Sequence, residues 1–287
     1  MINSGDVKPY RLRDKKIYSW LLEITVSLLP ISLDPYAVPL FFILGLIAGT
    51  FGGLLGIGGG FLITPSLVLF FNIPIHNAVA ISLVCVTMTS LSATLVYASR
   101  KQTDFRYGIL LETVTVLGSM LGARIAIGLK PEVIEFIFGA VLSYASIRMI
   151  RGSGRRAETR IKRPSKARFY LGMLASFLAG MLSSLVGIGG GTVKVPIMYL
   201  ILGLPVKTSI ATSAFMIGIT SSTGALVYLF KGLTEPTIAA IIVIGVFLGA
   251  QLGSRLALRI KGVMLRKMFG VLLFLLSIRM ILKSIGL

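Results

Sequence analysis

The chain has 287 residues, 55% of them hydrophobic and 14% charged, with a formal net charge of +19. Soluble domains carry roughly 25% charged residues, so this composition excludes an ordinary soluble protein. Apolar runs of about 20 residues recur, the length that crosses a bilayer core as helix, and the alternating pattern of a membrane barrel is absent. The expected fold class is an all-α polytopic membrane protein. The charge does not point to nucleic acid, because the basic residues fall between apolar runs, as the positive-inside rule leads one to expect.

In chain order, residues 1–36 come first. Lys8, Arg11, Arg13, Lys15 and Lys16 precede an apolar stretch over 17–33. Glu23 and Pro30 interrupt that stretch and no small-residue cleavage site follows, so it reads as retained, either crossing or interfacial. A first unit over 37–150 holds five apolar pieces, at about 38–55, 61–72, 77–99, 105–128 and 132–150. A basic linker over 151–168, with Arg151, Arg155, Arg156, Arg160, Lys162, Arg163 and Lys166, is expected on the cytoplasmic side, in reach of anionic headgroups. A second unit over 169–287 repeats the five pieces, at about 170–186, 192–203, 208–230, 234–257 and 263–285.

The two units are copies. Gly56-Ile57-Gly58-Gly59-Gly60 returns 131 residues later as Gly187-Ile188-Gly189-Gly190-Gly191. At the same offset Pro65 matches Pro196, Ser82 matches Ser213, and Leu95-Val96-Tyr97 matches Leu226-Val227-Tyr228. Gly118, Gly122 and Arg124 match Gly249, Gly253 and Arg255. Roughly a third of paired positions are identical, which marks an internal duplication.

The piece after each glycine cluster is too short to span at about 1.5 Å per residue. Either it completes one broken crossing, giving parallel repeats, or it returns as a hairpin, giving inverted repeats. With the linker inside, parallel repeats put Arg259, Lys261, Arg266 and Lys267 outside. Inverted repeats place that loop inside with Lys207, Arg100, Lys101 and Arg106, which satisfies the positive-inside rule. The expectation is two inverted repeats, each with a glycine-broken re-entrant hairpin and three spanning helices.

Twin breaks at matching places point to a transporter's binding site. Broken backbone at membrane depth must be buried in protein or line a wet cavity. Helix N-termini starting near Phe61 and Thr192 favour an anion there. The candidate ligands are the backbone of Gly58, Gly59, Gly60, Gly189, Gly190 and Gly191. Lys194 follows the second cluster where the first has Ile63. It either attracts the anion or snorkels to the interface. Ser82 and Ser213 are hydroxyls paired by the repeat, able to donate to an oxyanion or to bond backbone. Glu112, whose counterpart is Val243, either carries a proton, balances Lys194 or an arginine, or sits near the inner interface beside Arg106. Arg124 and Arg255 either gate or snorkel. Gly118-x-x-x-Gly122 and Gly249-x-x-x-Gly253 read as helix packing, and Gln251 as an interhelical hydrogen bond. His76 reads as an exposed-loop histidine and the lone Cys85 as a packing residue. No metal site, cofactor motif or nucleophile–base pair is found, so no enzyme is expected.

The paired G-x-G-G-G-x-x-x-x-P stretches, with Ala80-Ile81-Ser82 and Ala211-Thr212-Ser213, resemble the TauE/SafE sulfite exporter family over roughly residues 38–285. The resemblance implies a permease for sulfur-containing anions such as sulfite or organosulfonates. It adds Thr212 to the candidates, through the family's Ala-Thr-Ser stretch; Ile81 departs from it in the first half. The expected function is a secondary transporter in the cell membrane, multi-pass, moving a small anion outward by alternating access about a midplane site. Its partners are that anion and the bilayer, with self-association into a homo-oligomer left open. An inside-negative potential favours anion export by about 2.3 kcal/mol per charge per 100 mV, so export needs no coupled ion. An anion channel of the same architecture, or a carrier of a different small anion, is the alternative.

Overall fold

The computed structural model describes residues 37–151, 165–258 and 263–286. The apolar stretch at 17–33, most of the basic linker, and the loop at Arg259 and Lys261 lie outside the described residues.

Among the described residues all regular structure is helical. The first half contains α1 (Ala37–Leu55), α2 (Gly60–Phe70), α3 (Ile75–Ser99), α4 (Phe105–Gly128) and α5 (Pro131–Arg151). The second contains α6 (Lys166–Val186), α7 (Gly191–Pro196), α8 (Val206–Leu229), α9 (Pro236–Ala257) and α10 (Val263–Ser284). Local chemistry sets the ends. Asp104 caps α4 by accepting from the Tyr107 amide at 3.2 Å, and Pro236 opens α9 where its missing N–H costs nothing. Pro196 ends α7, and the chain continues as a π turn over Ile197–Ile201. Six helices are long and apolar enough to cross a membrane: α1, α3, α4, α6, α8 and α9. α5 and α10 have 21 and 22 residues, enough length with more charge.

α1 and α2 fold back on each other. Phe41, near the start of α1, stacks on Phe71, just past α2, with ring centroids 4.5 Å apart. A single broken crossing would hold those residues roughly 40 Å apart. The second half repeats the fold at the same offset: Gly172 lies against the Leu202 side chain, and Gly190 against Ala179 and Ser183. Each glycine cluster is therefore the tip of a helical hairpin.

The halves interlock through equivalent helices. α3 and α8 pack antiparallel: Leu83 lies by Gly224, Ser90 by Gly218 and Ala214, and Tyr97 clusters with Ala211. α5 and α10 do the same, through Glu135 with Lys283, Gly139 with Ile281 and Ser143 with Ser277. Parallel repeats would set these partners pointing the same way. α1 lies parallel to α9, with Gly45, Gly49 and Gly53 against the backbone of Ile242, Val246 and Ala250. Gly118 and Gly122 of α4 likewise meet the Phe177 and Met181 carbonyls of α6. Small residues allow such backbone approach between membrane helices.

His76 corrects an expectation. It is not in an exposed loop but in the first turn of α3, half-buried, with Nε2 3.2 Å from the Ala126 carbonyl.

Candidate functional site

The two hairpin tips meet. Gly58 and Gly189 hold φ of +87° and +86°, a left-handed conformation that side chains disfavour. Gly60 and Gly191 are needed for a different reason. A Cβ on Gly60 would collide with the Gly187 carbonyl, and one on Gly191 with the Ile57 backbone. Reciprocal hydroxyl bonds fix the contact. Ser82 donates to the Gly187 carbonyl at 2.8 Å, and Ser213 donates to the Gly56 carbonyl at 3.1 Å. Each serine thus binds the tip of the opposite half. Tyr97 and Tyr228, also equivalent, brace their own hairpins by donating to the carbonyls of Gly53 and Ser184 at 2.7 and 3.1 Å.

Beside the tips lies a crevice lined by Gly52, Gly56, Gly58, Ser90 and Ile217 among others, too tight for a water molecule. The glycines are brought together: Gly58, Gly60, Gly189 and Gly191 face the opposite tip or the side chains of Val86 and Ile217, while Gly59 and Gly190 pack against their own hairpins. Thr212 lies elsewhere: its Oγ1 accepts the Asp104 amide at 2.9 Å and fixes the turn into α4.

The backbone is nearly two-fold symmetric here; the polarity is not. Lys194 is buried on α7, with 1% of its surface exposed. Its Nζ donates to Glu112 Oε2 at 3.2 Å and to Thr220 Oγ1. The Thr220 hydroxyl is within bonding reach of Glu112 Oε1 and of the Met216 carbonyl, the latter at 3.1 Å. Ser119 donates to the Thr220 carbonyl at 2.8 Å and shares a 2.5 Å bond with Ser184. A single charge at this depth is costly, and a hydrogen-bonded opposite charge offsets that cost. The equivalent positions, Ile63 and Val243, are apolar, so the pair has no counterpart related by the repeat.

Among the described residues, the hydroxyls of Ser176, Ser183 and Ser221 are buried without a hydrogen-bond partner. Ser183 abuts Gly190, and Ser221 lies by Gly189. An unpaired buried hydroxyl is unfavourable unless something else satisfies it. Ser183 and Ser221 thus stand as unpaired donors beside the second tip. Sequence reasoning passed over Ser183 and did not single out Ser221 or Thr220. The signal for Ser183 was present, since it stands where the first half has Gly52.

Arg124 and Arg255 are not brought to the tips. Both are exposed, Arg124 on α4 and Arg255 on α9, where it donates to Gln251 Oε1 at 3.4 Å.

Comparison with known proteins completes the description. The model of the family described as sulfite exporter TauE/SafE matches residues 41–280. The probable membrane transporter protein YunE of Bacillus subtilis is 29% identical over 85% of this chain and 97% of its own length. A probable membrane transporter protein of Methanocaldococcus jannaschii is 29% identical over 85% of this chain and 96% of its own. The sulfite exporter TauE/SafE family protein 2 of Arabidopsis thaliana is 54% identical over a short stretch, 15% of this chain and 10% of its own. No solved structure matches.

Proposed function

The chain belongs to the TauE/SafE sulfite exporter family, and from that premise we propose that it is a secondary transporter of small sulfur-containing anions such as sulfite or organosulfonates, exporting them by alternating access. Membership makes it a multi-pass membrane transporter; the substrate and mechanism are our reading. The observation that carries it is the meeting of two glycine tips across which two reciprocal serine bonds run. Such a barrier parts on either side without unfolding a helix. The antiparallel contacts of α3 with α8 support repeats of opposite orientation, with α1–α2 entering from outside and α6–α7 from inside. The anion then sits between the second tip, Lys194, Ser183 and Ser221.

The test is flux into and out of liposomes holding the purified protein, with sulfite, thiosulfate, sulfoacetate and sulfate as probes and the potential and pH gradient set separately. Saturable flux with counterflow is expected. Unitary currents would make the protein a channel, and absence of flux for every probe would remove the substrate class.

A further inference from the structure

The buried pair joins Glu112 of the first half to Lys194 of the second, and the repeat gives it no equivalent, since the matching positions are Val243 and Ile63. We propose that this pair couples transport to protons: the anion takes Lys194 from Glu112, and Glu112 binds one proton in the same step. The inference rests on the reading of the chain as an anion transporter.

The argument is one of charge in a dry site. In the closed structure the Lys194 ammonium and the Glu112 carboxylate cancel, at 3.2 Å, with side chains 0% and 4% exposed. A monoanion added to that pair leaves one uncompensated negative charge in a medium where lone charges are costly. A proton on Glu112 removes it. The loaded site then holds the ammonium, the anion and a neutral carboxyl, and is again uncharged. Thr220, which bridges the two side chains, supports either state, because its hydroxyl accepts from a protonated carboxyl as readily as it donates to a carboxylate.

No other charged group competes for the role. Among the described residues packed against α4, α7 offers Lys194 and α8 offers Thr220. Lys207 of α8 is exposed, and Tyr228 is engaged with the Ser184 carbonyl. Lys166, Arg168 and Tyr170 of α6 are exposed at its start, and Tyr199 of the π turn is half-buried. On α4 itself Arg106 and Arg124 are exposed and Tyr107 is half-buried. Proton and anion therefore leave together and the empty site returns neutral, so a monoanion moves without net charge. This replaces the expectation that the membrane potential alone drives export.

The experiment uses the full chain in liposomes with an internal pH dye. Radiolabelled isethionate is the first probe, a sulfonate whose single charge is fixed near neutral pH; thiosulfate and sulfoacetate follow. One proton is expected to accompany each isethionate, and its distribution should ignore an imposed potassium–valinomycin potential. In Glu112→Gln the proton signal should fall to background, and the distribution should follow the potential by about 50-fold per 100 mV. Glu112→Asp, which keeps a carboxyl, should retain the proton signal. Where Glu112→Gln does not reconstitute, the wild-type proton count decides alone. Isethionate flux that follows the potential without protons overturns the coupling and leaves the transporter intact. Undiminished proton movement in Glu112→Gln overturns the role of Glu112. Flux of none of the three probes overturns the transporter reading, and the coupling with it.

Discussion

Removing one member of the Glu112–Lys194 pair should be far more damaging than removing both. Lys194→Met keeps most of the side-chain volume and deletes the charge. Glu112 is then a buried carboxylate whose remaining partner is the Thr220 hydroxyl. Breaking a buried pair from one side costs about 3–5 kcal/mol. For a chain of this size that corresponds to a melting temperature lower by roughly 6–20 °C. Glu112→Gln leaves the converse problem, an ammonium with only neutral oxygens, and should lose a comparable amount. The double variant leaves no charge. Thr220 still has the Met216 carbonyl at 3.1 Å as acceptor, so no orphan donor is created there. Its stability should return to within about 1–2 kcal/mol of the parent, as replaced buried pairs generally do. Thermal unfolding in one detergent, followed by size-exclusion recovery, measures all four proteins. A double variant as unstable as the sum of the singles would refute the reasoning, because the two side chains would then be acting independently.

The glycine tips should tolerate no side chain, unlike a glycine that faces open space. Gly60→Ala and Gly191→Ala each drive a methyl into the opposing backbone and should cost about 1–3 kcal/mol. Gly128→Ala, at the end of α4 with nothing within 4 Å of the added carbon, should leave thermal stability unchanged; equal losses at all three sites would show that tip contact is not the cause. The serine bonds should act as the latch between the tips. In a Ser82→Ala, Ser213→Ala background, a cysteine introduced as I188C should label faster with a water-soluble maleimide. Cys85 is buried and gives a low background. Unchanged labelling would mean that the tips are held by packing alone.

The repeat made the hairpins legible. A constant offset aligns a short apolar piece with each glycine cluster, and the predicted pieces fall within a few residues of the helices observed. The fold-back itself followed from charge, and its proof is local: Phe41 on Phe71 and Gly172 on Leu202. Lys194 and Glu112 were each legible as charges without a counterpart in the other half. Their pairing was one of several readings, since no sequence signal joins residues 82 apart. The reciprocal serines were legible as a pair but not in role. A hydroxyl's partner depends on which carbonyl lies within 3 Å or so, and here each carbonyl belongs to the other half. Symmetry gave Arg124 and Arg255 weight for being duplicated. Both lie on exposed helix surface, a place the repeat preserves as readily as it preserves a site.

Each hairpin is tied down by one lysine, and the two ties differ in kind. Lys283 of α10 donates to the Val68 carbonyl near the end of α2 at 3.0 Å and lies 3.9 Å from Glu135. Its side chain is 37% exposed, so the ion pair is worth at most about 1 kcal/mol after solvent screening. Nothing in that contact depends on what the tips hold. Lys194 ties the second hairpin at the tip itself, in a pair whose rupture costs several times more. That cost is offset when another anion takes the place of Glu112. Under the proposed mechanism the second hairpin is held firmly when the site is empty and released by the same chemistry that fills it. A symmetric pair of tips with no such difference would give a ligand no purchase on the equilibrium between the two sides, because a ligand shifts a conformational balance only through unequal interaction with its two states. Under the proposed mechanism, the departure from two-fold symmetry is what links occupancy to movement.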